Sequence, residues 1–212
     1  HRPLRGQRAG LLGALAVPGL RTIVLASLGF GLVIGSVEVG VPAVTAAAGS
    51  AALGGVLLSA WSVASVLAGV AYSLRPWPRP LHLRLPVLLL AFALCVGAMA
   101  VAGPLPALVV AMLLAGATIT PQVTAHSLGV EATAPAGTAT EAFGWVVTAA
   151  TLGLSSGQST AGIVVEAFGP HAAFVVGGVA GTVVAGLLWL LRGSLRPQVV
   201  QLSTHGELSR RP

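Results

Sequence analysis

The chain has 212 residues; 55% are hydrophobic, only 8% are charged, and the mean hydropathy is +0.93. Soluble domains carry about 25% charged residues, so this composition argues against a soluble globular enzyme. It also excludes disorder, which needs low hydrophobicity and high charge. The net charge is +6, every basic residue is Arg and every acid is Glu. A basic balance in a soluble chain would point to nucleic acid, so the positions of the Arg residues decide what the charge means.

Residues 1–21 read as a basic linker. Arg2, Arg5 and Arg8 precede no short apolar core with a cleavage site, so no signal peptide is expected. A chain starting at His1 reads as a piece of a longer protein. A membrane-spanning helix needs about 20 mostly apolar residues. Six segments meet that need, at 22–41, 53–74, 85–102, 105–125, 142–165 and 172–191, followed by a tail at 192–212. Turn chemistry separates them at Ala48-Gly49-Ser50, Arg75-Pro76-Trp77-Pro78, Gly103-Pro104, Ala134-Pro135-Ala136-Gly137 and Gly169-Pro170. Only Gly103 and Pro104 join the third and fourth segments, which predicts a tight helical hairpin. The lone Cys95 sits in an apolar run and can form no internal disulfide.

Six alternating spans place both termini and the loops after spans two and four on one side. Arg2, Arg5, Arg8, Arg21, Arg75, Arg79, Arg84, Arg192, Arg196, Arg210 and Arg211 all fall there. Basic residues concentrate in cytoplasmic loops, which makes that side the cytoplasm. The charge is then a topology signal, and a nucleic-acid partner is not expected. Tyr72, Trp77, Trp145 and Trp189 fall near the same ends of their spans, as interfacial anchors do.

Small residues mark close helix packing in lipid. Ser27, Gly31 and Gly35 recur every four residues in span one, as do Gly153, Gly157 and Ala161 in span five, and span six has Gly177 and Gly181. Gly153-Leu154-Ser155-Ser156-Gly157 also matches the pattern of serine hydrolases. That motif needs a strand, a sharp turn and a helix, whereas here it lies within one apolar helix. No metal-ligand, phosphate-loop or nucleotide pattern is present, and neither a catalytic residue nor a cofactor is expected.

Polar groups inside a span are expensive and face a cavity or a helix contact. Glu38 lies roughly 10 Å outward of the midplane. It reads either as a protonatable cavity carboxylate or as a group close enough to the interface to reach water. Thr148, Thr151, Ser155, Gln158 and Gly162 form one polar face of span five, with Gln158 at a depth similar to that of Glu38. The alternative for that stripe is interhelical hydrogen bonding. Pro121 is expected to kink span four, Gln122 to line the inner half of a cavity, and His126 to be solvated. Trp61 shares a face with Ser65, Ala68 and Tyr72 and either stacks on a substrate or fills the bundle. Spans three and six carry almost nothing polar and read as outer, lipid-facing helices. Glu131, Glu141 and Glu166 read as solvated.

Six spans with inward termini, polar faces on spans one, two, four and five and apolar spans three and six resemble one half of a major facilitator superfamily transporter. The match is to the second half, helices seven to twelve of a bacterial member. Gly54-Gly55 through Ser59, Trp61, Ser65 and Gly69 resemble the eighth helix. Pro135 through Trp145 resemble the start of the eleventh. Gly153 through Gly162 and Phe168 through Phe174 resemble the passage from the eleventh to the twelfth. The Asp and glycine–basic cluster the family carries after a second helix is absent; Leu74-Arg75-Pro76-Trp77-Pro78-Arg79 stands there. The resemblance implies an all-α bundle in the bacterial inner membrane, working by alternating access against a second six-helix half. It further implies proton-coupled efflux of a small organic solute, with proton-linked uptake, or a non-transporting membrane subunit or intramembrane enzyme, as alternatives. Glu38, Trp61, Ser65, Gln122, Thr151, Ser155 and Gln158 are the residues expected at the cavity.

Overall fold

The computed structural model describes residues 13–74, 80–135 and 137–195. The expectations for Arg2, Arg5, Arg8, Arg75, Trp77, Arg79, Arg196, Arg210 and Arg211 lie outside these. The described chain is all-helical: α1 (Pro18–Ala47), α2 (Ala51–Ser73), α3 (Leu81–Ala100), α4 (Leu105–Thr133), α5 (Ala139–Phe168) and α6 (Ala172–Leu191). Short 3-10 turns precede α1 at Ala14–Ala16 and follow α6 at Arg192–Leu195, inside the stretches read from sequence as linker and tail. Gly49, Gly137 and Gly169 take positive φ of 83°, 85° and 92° in three of the predicted turns, a conformation glycine adopts without steric cost.

Five of the six helices are long and apolar enough to cross a membrane. The exception is α5, which has the length, at 30 residues, but whose Ser, Thr, Gln and Gly dilute its apolar content. The helices run alternately up and down. Thr22 at the start of α1 bonds Ser194 beyond the end of α6 at 2.8 Å. Gly19 lies against Thr133 at the end of α4, and Arg84 at the start of α3 donates to the Tyr72 hydroxyl at the end of α2 at 3.4 Å. Arg21, Arg84 and Arg192 therefore share one end of the bundle, as the alternation of six segments requires. Trp189 anchors that end, with the Arg192 guanidinium 4.5 Å above its ring.

Helix α1 is the hub. The others form an arc in the order α5, α6, α3, α4, α2, and α1 packs along its inside. The most extensive contact is between α1 and α5, and its glycines explain why. A methyl group on Gly31 would collide with the Ala150 carbonyl oxygen, and one on Gly35 with that of Leu154. Reciprocally, methyls on Gly153 and Gly157 would collide with the carbonyls of Leu28 and Leu32. Each helix thus rests its glycines on the other's backbone, the approach small residues permit in lipid. Gly177 fits against Ser36 and Val96, and Gly181 against Val33 and Ala93, so α6 seats both α1 and α3.

Helices α3 and α6 lie on the outside of the bundle, as expected: Leu90 and Leu94 on α3 and Val175, Val179, Val183 and Leu190 on α6 are exposed, while Gly178 on Gly97 lets the two helices pack on each other. On α2 only 17% of the most apolar stretch is buried. Two expectations are corrected. His126 is 5% exposed rather than solvated, because its face of α4 meets Phe30 of α1. Glu141 is half-buried and tied down: its Oε1 accepts from the Ala14 backbone N–H at 3.2 Å. Pro121 lies within a continuous α4.

The glycine crossing generates a testable contrast. Gly35→Ala and Gly157→Ala should each cost about 1–3 kcal/mol by overpacking. Gly144→Ala and Gly162→Ala on the open surface of α5 should be neutral or stabilise by up to about 1 kcal/mol. Unfolding of the purified variants in one detergent measures this, and equal losses at all four positions would contradict the assigned crossing.

Candidate functional site

Glu38 and Gln158 meet across the α1–α5 crossing. Gln158 Nε2 donates to Glu38 Oε2 at 2.8 Å, and both residues are half-buried. The local cause is the glycine contact just beneath: Gly35, one turn before Glu38, abuts the Gln158 backbone nitrogen. Pro42 stands inside α1 four residues after Glu38 and lacks an N–H, so the Glu38 carbonyl loses its helical donor. Two acceptors, the Glu38 carboxyl and its own backbone carbonyl, therefore sit at one level of α1. Arg21, Arg84 and Arg192 are all at the far end of the bundle.

The polar stripe of α5 begins beside this pair and turns away from the bundle. Thr148, Thr151 and Ser155 are exposed, because Ala142, Val146, Ala149, Gly153, Gly157 and Ala161 take the buried face. The stripe is not uniformly available. The Thr151 hydroxyl donates to the Val147 carbonyl at 3.0 Å, the usual local satisfaction of a helical threonine. The Ser155 and Thr148 hydroxyls have no such bond among the described residues, so each keeps its donor and acceptor capacity. Ser155 lies in mid-helix with no strand–turn–helix elbow. His171 packs on Phe174 with ring centroids 6.3 Å apart, and His126 on Phe30 at 5.7 Å.

The other expected cavity residues are buried between helices. Trp61 is 6% exposed and presses on Gly116 of α4, which is the bundle-filling arrangement; its indole Nε1 has no partner among the described residues. Ser65 shares a 2.8 Å hydrogen bond with Thr120, tying α2 to α4. Gln122 is fully buried, its Nε2 3.2 Å from His126 Nε2, and its Oε1 has no partner among the described residues. The structure thus joins Glu38, Gln158 and the Ser155 stripe on one side, and places Trp61, Ser65 and Gln122 in helix contacts. No family model matches the chain, and no curated protein or solved structure does.

The site's chemistry therefore rests on these side chains alone. Among the described residues no three His, Cys, Asp or Glu side chains are grouped to hold a metal ion. What the Glu38 group can do is accept hydrogen bonds, hold a proton or oppose a positive charge. The Ser65–Thr120 pair and the burial of His126 were not anticipated from sequence. The four-residue spacing of Gln122 and His126, one helical turn, was the available signal for the second.

A double-mutant cycle checks the pair. Glu38→Ala and Gln158→Ala should couple by about 0.6 kcal/mol, and by no more than about 1.7, as intramembrane hydrogen bonds do. Additive effects in unfolding measurements would remove the bond.

Proposed function

We propose that this chain is a half-bundle of a multi-pass secondary transporter of the bacterial inner membrane, working by alternating access with a second six-helix half. Glu38 is its proton-exchanging carboxylate. The observation that supports this reading most is the Glu38–Gln158 pair beside an exposed hydroxyl stripe on α5, the helix least suited to face lipid. A helix with Thr148, Thr151 and Ser155 on its outer face needs water or protein there rather than hydrocarbon. A neighbouring half enclosing a wet cavity supplies both.

In this reading Glu38 ionises when the cavity opens to water of low proton activity and reprotonates on the other side. The Gln158 amide donates a hydrogen bond to the Glu38 carboxyl and holds it in place. Ser155 and Gln158 offer hydrogen bonds to a solute, whereas Thr151 contributes shape, its hydroxyl being used within the helix. Arginines at the Arg21, Arg84 and Arg192 end face the cytoplasm, and export of a small organic solute against proton entry is the direction we assign. A serine hydrolase is disfavoured by the mid-helix position of Ser155.

Reconstitution of the full-length protein tests the reading. Solute flux should respond to an imposed pH gradient, and Glu38→Gln should abolish that response while solute exchange at equal pH persists. Proton-driven flux unchanged in Glu38→Gln would sink the proton role. Ser155→Ala should weaken solute binding by roughly fivefold, about 1 kcal/mol for one neutral hydrogen bond, and Thr151→Val should leave it near wild type. Direct binding isotherms in nanodiscs read the difference.

A further inference from the structure

Gln122 and His126 are used by nothing described so far, yet they are the most deeply enclosed polar pair among the described residues. His126 lies edge-on to Phe30, and Phe30 packs on Phe92 with centroids 5.4 Å apart. Phe30 is near the middle of α1, roughly 4 Å from its midpoint on the arginine-bearing side, and Glu38 is about 12 Å further along the same helix. The pair is thus a polar site on the other side of the midpoint from Glu38.

Its hydrogen bonding is incomplete in a specific way. With the Gln122 amide donating at 3.2 Å, His126 Nε2 accepts; the neutral imidazole then carries its hydrogen on Nδ1. The Gln122 Oε1 remains buried and without a partner among the described residues, an arrangement natural proteins seldom leave unexplained. An added proton has one place on the ring to go, the Nε2 lone pair. Once Nε2 carries hydrogen it can no longer accept from the amide. Rotation of the carboxamide about its last bond then brings Oε1 to Nε2–H, and the orphaned acceptor becomes the partner of an imidazolium.

We propose that Gln122 and His126 form a proton-holding site inside the bundle, separate from Glu38, with the Gln122 carboxamide as a two-position switch. The proton comes from water and returns to it; no bond other than N–H forms or breaks. A cleft of about 630 Å³ lined by Ala68, Tyr72, Leu88, Thr118 and Pro121 reaches the turn before Gln122, with Arg84 bonded to Tyr72 beside it. Neither Gln122 nor His126 lines it, and the pair stays enclosed behind that wall. Among the described residues the surroundings supply no competing charge. On α1 the neighbour is Phe30, on α3 it is Phe92 behind it, and on α4 it is Gln122 itself. The titratable groups these helices carry elsewhere are Arg21, Glu38, His82, Arg84, Cys95 and Glu131. A part for the site in coupling rests on the transport reading above, but its existence does not.

The test is a ¹⁵N-histidine NMR titration of the full-length protein in nanodiscs, with the His126 signals assigned by their loss in His126→Phe. Nε2 should be the unprotonated nitrogen at high pH and should gain the proton as pH falls. Gln122→Leu should weaken that proton binding about tenfold or more, since a charged group loses its acceptor. Gln122→Glu should strengthen it. Opposite shifts in the two variants separate the switch from general damage. A His126 protonated on Nε2 throughout, or shifts of one sign in both variants, would overturn the proposal. Proton-driven flux lost in His126→Phe with exchange at equal pH retained would add the coupling role, and flux unaltered by His126→Phe would remove it. Absence of any flux in the wild type would refute the transport reading while leaving the titration result standing.

Discussion

The contact of bare backbone between α1 and α5 is the constraint on which the rest depends. Gly31 and Gly35 on one helix and Gly153 and Gly157 on the other put each backbone against the other's carbonyls. In hydrocarbon there is no gain from burying apolar side chains, so dispersion contacts at this range and weak Cα–H to carbonyl contacts carry the association. The same approach fixes the height at which α1 and α5 meet. Glu38 reaches Gln158 because Gly35 abuts the Gln158 backbone one turn below.

From that crossing the arrangement of the remaining helices follows. The central helix uses one flank for α5 and the others for α6, α3, α4 and α2, which leaves α5 and α2 at the two ends of the arc. Those two helices keep the largest uncovered faces, but the faces differ. That of α2 is mostly Val and Leu, with Val56, Val63, Val66 and Leu67 more than half exposed, and suits lipid or an apolar neighbour. That of α5 carries the Thr148 and Ser155 hydroxyls among Val147, Leu152 and Ile163, which are also more than half exposed.

Much of this was legible in the sequence, and the reasons are physical. Helix number and order follow from apolar run length and from Gly at Gly49, Gly137 and Gly169 in turns. The three described arginines share an end because six alternating helices return the chain to that end before α1, before α3 and after α6. The α1, α5 and α6 glycines read as packing faces because four-residue spacing puts them on one side of a helix. The Glu38–Gln158 bond was implicit in their common depth. What sequence could not supply was which faces meet. Composition marked α3 and α6 as outer helices but not that Gly97 and Gly178 bring them together. Helix length also escaped: α4 extends eight residues beyond the expected span end at 125, so His126 is a helical residue whose face of α4 meets Phe30 of α1. Gln122, expected at a cavity wall, lies one turn earlier on that face and is enclosed with it.

The central claim, that the α5 stripe borders water rather than lipid, is tested most directly by cysteine accessibility. In the full-length protein with Cys95 replaced by Ser, single cysteines along α5 are exposed in intact membranes to a membrane-impermeant maleimide. The account predicts labelling at Thr148, Thr151, Ser155 and Gly162, with no labelling at Val147, Leu152 and Ile163. Labelling absent from all seven positions, or spread evenly over them, would contradict it.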